Sequence, residues 1–71
     1  MAEVKHPNRV RDVRAMHGIT QGTLAERVCV SRQSINYIEQ GTFAPSVYLA
    51  LKIARVLGTT VEELFGEKQS C

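Results

Sequence analysis

The chain has 71 residues, 44% hydrophobic and 23% charged, no tryptophan and a formal net charge of +2. That length holds one small domain and leaves no room to hollow a deep catalytic pocket out of its core. The balance is that of a globular chain, no apolar run approaches the about 18 residues of a membrane span, and residues 1–7 lack the apolar stretch of a secretory signal.

In chain order the sequence predicts short helices set off by cap and stop residues. Pro7 and Asn8 open the first, with Asn8 as its N-cap, Val10 and Val13 on its apolar face and Gly18 as its stop. Thr20 caps a second helix from Gln21 to Val28, with Leu24, Ala25 and Val28 inward. After the link Cys29-Val30, Ser31 caps a third, with Ile35 and Ile38 inward and Gly41 as its stop. Pro45 and Ser46 open a fourth, whose Leu49, Ala50, Ile53, Ala54 and Leu57 form a broad apolar stripe that ends at Gly58. Thr60 to Glu63 reads as a capping box before Leu64 and Phe65. No segment alternates with a period of two, so the expected fold is all-α, a compact five-helix bundle. Residues 10–65 form the domain, and 1–9 and 66–71 are expected to be short flexible termini.

The second and third helices carry the functional information. Joined by about three residues, they do not lie antiparallel comfortably, and such a link favours a crossing near 90–120°, the helix-turn-helix geometry. With its apolar positions removed, the third helix keeps Arg32, Gln33, Asn36, Tyr37 and Gln40 on one face. That face is poor in acids and rich in planar hydrogen-bonding groups. Arg can grip guanine O6 and N7, and Gln or Asn can grip adenine N6 and N7. Residues 1–60 carry eight bases and four acids, and Lys5, Arg9, Arg11 and Arg14 cluster near the start, which suits a polyanionic partner.

Thr20-Gln21, Leu24-Ala25, Val30 to Ile35, Ile38-Glu39, Gly41, Pro45-Ser46, Ile53-Ala54, Leu57 and Val61 to Phe65 together resemble the signature of the Cro/CI-type (Xre-family) helix-turn-helix regulators. The resemblance runs from about Val10 to Phe65. It implies a lambda-repressor-like DNA-binding domain and a role as a small, often dimeric regulator of double-stranded DNA in a bacterium, archaeon or phage. It implies base contacts by Arg32, Gln33, Asn36 and Tyr37, phosphate contacts by Thr20, Gln21 and Ser34, and an ion pair between Arg14 and Glu39. The sequence departs from the family where Cys29 replaces a frequent Gly, Thr23 a frequent Glu and Thr42 a frequent Lys.

A lone recognition helix reads too few base pairs to find a site in a genome, so a homodimer is expected. The last helix is too short to bury Val61, Leu64 and Phe65 together, which makes those three the expected dimer interface. Phe43 and Tyr48 are expected to pack around the loop before the fourth helix, and Cys29 to be a half-buried turn residue rather than a redox thiol. His6, His17, Cys29 and Cys71 have no zinc-ligand spacing, so neither a metal nor a cofactor is expected, and sparse cysteine points to a reducing cytoplasm. No nucleophile–base set or carboxylate pair argues for an enzyme. The alternative is an antitoxin-like or adaptor module that keeps the fold and works through a protein partner.

Overall fold

The computed structural model describes residues 7–66, which leaves His6, Cys71 and most of both expected flexible termini outside the described residues. Five helices follow one another: α1 (Val10–Met16), α2 (Gln21–Val28), α3 (Arg32–Gln40), α4 (Val47–Val56) and α5 (Val61–Phe65). There is no strand among the described residues, and none of their helices is long and apolar enough to cross a membrane.

Local chemistry sets where the helices start. Thr20, Ser31, Ser46 and Thr60 sit in extended backbone, and each hydroxyl accepts the N–H three residues on, one of the groups a helix start leaves without a partner. The first helix begins differently. Its N-cap position is Arg9, which makes no side-chain cap. Asn8 caps from one residue earlier: its Oδ1 accepts from the Val10 N–H at 3.1 Å while its Nδ2 donates to the Ile38 carbonyl at 2.8 Å. The Arg9 N–H donates to the Leu64 carbonyl at 2.8 Å. These bonds fasten the start of α1 to the end of α3 and to α5, so Asn8 and Arg9 are anchored rather than part of a loose terminus.

The ends of α1 to α4 share one device. Gly18, Cys29, Gly41 and Gly58 adopt positive φ, and the N–H after each reaches back five residues: Ile19 to Arg14, Val30 to Ala25, Thr42 to Tyr37 and Thr59 to Ala54, at 2.9 to 3.2 Å. Cys29, at φ 63°, is the one that carries a Cβ in that region. Left-handed backbone costs a non-glycine residue about 1–2 kcal/mol, whereas glycine's extra chain entropy costs about 0.5–1 kcal/mol. Cys29→Gly is therefore expected to stabilise the fold by about 0.5–1 kcal/mol, read as a rise of a few degrees in a thermal melt. The turn leaves Cys29 exposed while Val28 and Val30 on either side pack on the core, so it is not the half-buried residue expected from sequence.

One apolar cluster unites the helices, built from Val10, Leu24, Ala25, Val28, Ile35, Ile38, Ile53, Ala54, Leu57 and Leu64. Within it α2 packs on α3 and α4, α1 bridges α3 and α5, and α4 meets α5. The structure corrects two expectations here. Leu64 is 1% exposed: α1 and α4 close over it, so it is core and offers no surface to a partner. Tyr48 is 80% exposed and Phe43 half exposed, because the inward stripe of α4 uses Ala50, Ile53 and Ala54 and leaves Tyr48 on the opposite side. Neither seals the loop before α4.

Candidate nucleic-acid interface

Burial of Ile35 and Ile38 fixes the rotation of α3. The other face then turns outward along its whole length. Arg32, Gln33, Tyr37 and Gln40 are exposed, and Asn36 is half-buried toward α2. The amide Nε2 of Gln33 lies 3.0 Å from the Tyr37 hydroxyl, one helical turn away, so these two side chains share one surface. Three of the four residues expected to meet base edges thus lie on one exposed ridge, with Asn36 at its margin toward the cleft.

Beside that ridge lies an open cleft of about 770 Å³ between α1, the start of α2 and α3, lined by residues that include Arg11, Gln21, Gly22, Arg32, Asn36 and Glu39. A hydrogen-bonded chain forms its floor. Arg14 grips Glu39 with two donors, Nε to Oε2 at 2.6 Å and Nη2 to Oε1 at 3.2 Å, and its Nη1 donates to the Ile19 carbonyl at 2.8 Å. The side chains of this pair are only 14% and 3% exposed. Glu39 Oε1 also accepts from Gln21 Nε2 at 3.0 Å, and the same nitrogen lies 3.3 Å from Asn36 Oδ1. Among the described residues Glu39 is the one acid that lines the cleft, and Arg14 balances its charge. Among the described residues the ion pairs join Arg14 to Glu39 and Arg9 to Glu63, so exposed Arg11 and Arg32 give the cleft its positive sign.

The three residues expected on phosphate have partners inside the chain. The Thr20 hydroxyl accepts the Thr23 N–H and pairs with the Thr23 hydroxyl at 3.0 Å. Ser34 pairs with Ser31, hydroxyl to hydroxyl, at 3.0 Å. Gln21 commits its amide nitrogen to Glu39 and Asn36. What remains unpaired by the helix itself at the start of α2 is its first backbone N–H groups, and there the macrodipole favours an anion. Thr23 thus replaces the missing Glu by a hydroxyl pair, and Thr42 turns its hydroxyl to the Tyr37 carbonyl at 3.2 Å. The residue types and spacing point to a local cap alone for Asn8 and to no structural task for Thr42. Both bonds depend on where a distant or reversing backbone segment arrives, and no residue spacing signals that.

A second surface is apolar. A groove of about 300 Å³ is lined by residues that include Phe43, Pro45, Val47, Val61 and Phe65, with exposed Tyr48 and Leu51 also on α4. Val61 and Phe65, two of the three residues expected at a dimer interface, are only partly buried here. Among the described residues no group of three or more His, Cys, Asp or Glu side chains is placed to hold a metal ion.

Comparison with known proteins agrees with this geometry. The family described as Helix-turn-helix matches residues 10–64. An HTH-type transcriptional regulator of Archaeoglobus fulgidus is 47% identical over 57 residues, which cover 80% of this chain and 81% of that protein. The crystal structure of the restriction-modification controller protein C.AhdI from Aeromonas hydrophila superposes with a TM-score of 0.73 at 31% identity, covering 78% of this chain and 83% of that one. The clp gene regulator ClgR from Corynebacterium glutamicum gives a TM-score of 0.71 at 33% identity over 73% of this chain, which spans 55% of that longer protein.

Proposed function

The chain belongs to the helix-turn-helix family, and from that premise we propose that it is a DNA-binding transcriptional regulator that inserts α3 into the major groove of duplex DNA. One observation carries the reading: α3 buries Ile35 and Ile38 and presents Arg32, Gln33 and Tyr37 outward, with half-buried Asn36 beside them on the cleft. Arg32, Gln33 and Asn36 have the geometry to grip purine edges. The backbone N–H groups at the start of α2, Arg11 and, with a change of partner, Thr20 and Ser34 meet the flanking phosphates, while the Gln21 side chain keeps its bonds to Glu39 and Asn36. The protein acts by binding rather than by catalysis, in the cytoplasm, where its DNA is. Seated on an operator, it acts as a repressor by covering the site.

The active form in this reading is a homodimer on a palindrome, since two recognition helices about 34–36 Å apart reach successive major grooves. Its interface is the apolar face of Val61 and Phe65, without Leu64 and widened by Phe43, Val47 and Tyr48. The same face supports the second reading, a module that docks a different protein. Sedimentation separates the two. The dimer predicts a two-subunit mass at micromolar concentration and protection of two half-sites one helical turn apart. Val47 is exposed, so Val47→Glu should leave the fold intact, yield monomer and weaken binding to the palindrome. A wild-type monomer at high concentration points instead to a foreign partner on this face.

A further inference from the structure

Glu39 touches more than Arg14, and the order of donors and acceptors around it has a consequence for base reading. A carboxylate only accepts hydrogen bonds. Gln21, within 3.0 Å of Glu39 Oε1, must therefore turn its NH₂ and not its carbonyl toward that oxygen. The same nitrogen faces Asn36 at 3.3 Å, and a second N–H there requires the Asn36 carbonyl, not its NH₂, to point at Gln21. The direction set at Glu39 thus passes through two amides to α3. Arg14 holds the origin of this chain in place with two bonds to the carboxylate, in a setting almost closed to solvent.

We propose that Glu39 is a positioning residue for specificity: acting through Gln21, it locks Asn36 with its acceptor inward and only its two N–H donors toward the DNA. This rests on the reading of α3 as the recognition helix. A free Asn can pair with adenine by giving one bond to N7 and taking one from N6, whereas an Asn that offers only donors matches guanine, whose O6 and N7 both accept. Facing adenine, one of its N–H groups would meet the N6 amino group head-on. Gln33 is not locked in this way, because its partner, the Tyr37 hydroxyl, can either donate or accept.

The test has one arm without DNA and one with it. In the free wild-type protein, NMR hydrogen exchange of side-chain amides should show the Gln21 NH₂ protected and the Asn36 NH₂ exchanging freely. The reverse pattern overturns the proposal whatever the protein binds. In selection from random duplexes, wild type should prefer guanine over adenine opposite Asn36 by about tenfold. Glu39→Gln supplies an amide that can turn either way, so that preference should collapse to within about threefold while preferences at Arg32 and Gln33 persist. Asn36→Asp keeps an acceptor for Gln21 and turns another outward, so it should shift the preference to cytosine, whose N4 donates. If Glu39→Gln proves too unstable, Gln21→Ala, which removes the relay and leaves the Arg14–Glu39 pair in place, tests the same point through the same collapse of preference. A wild-type preference for adenine, or variants that leave this position unchanged, overturns the proposal while leaving α3 as the reading helix. Failure of wild type to select any sequence overturns the recognition-helix reading and this proposal with it.

Discussion

Glu39→Ala is expected to cost about 3–5 kcal/mol of stability, because it strands the Arg14 guanidinium in a site where that side chain is 14% exposed. The loss is compounded by Gln21, whose amide nitrogen surrenders its closest acceptor. A 71-residue domain has roughly 4–10 kcal/mol in total. The variant should therefore melt at least about 15 °C below wild type, with a partly unfolded baseline at room temperature. Arg9→Ala supplies the contrast. The Arg9–Glu63 pair is 3.6 Å long and more than half exposed, so its loss should move the midpoint by no more than a few degrees, since exposed pairs contribute about 0–1 kcal/mol. Circular dichroism melts of the three proteins read the difference directly. Equal melting points for Glu39→Ala and wild type would show that the pair does not hold α1 to α3.

Arg32→Ala should leave the melt unchanged, since the side chain is exposed and the Ser31 cap that starts α3 does not use it. Its effect is expected on DNA. Losing a bidentate guanine contact costs about 1–3 kcal/mol at the cognate site, or roughly 5- to 150-fold in affinity, and flattens the preference at one base pair. Arg11→Ala, on the rim of the same cleft, should instead weaken cognate and scrambled duplexes alike and lower the slope of affinity against salt by about one charge. Mobility-shift titrations on the two duplexes separate these patterns. If Arg32→Ala loses affinity equally on both, its contact is to phosphate and base reading lies elsewhere on α3.

The helix starts were legible because a cap is a local event. Thr20, Ser31, Ser46 and Thr60 each bond an N–H three residues away, a distance that sequence spacing encodes. The stops at Gly18, Gly41 and Gly58 are local for the same reason. The burial of Leu64 is not legible in the sequence, because a five-residue helix alone does not show how much of it α1 and α4 cover. Tyr48 follows the opening of α4 by one residue, where helical periodicity does not yet distinguish inside from outside. The exposed face of α3 was legible from its 3.6-residue period, since the buried positions define the exposed ones. The cleft floor was not. Gln21 and Glu39 lie 18 residues apart and Arg14 and Glu39 lie 25 apart, so only the resemblance to a family suggested that ion pair, and nothing suggested the amide relay.

Whether α3 is the element that reads duplex DNA can be seen by titrating the isotopically labelled protein with a selected duplex and mapping the backbone amide shifts. The largest changes are expected on residues 32–37 and on the start of α2, with the apolar side of α4 barely moved. Changes centred on Val47, Tyr48 and Leu51 with α3 silent, or no saturable change at low salt, would contradict it.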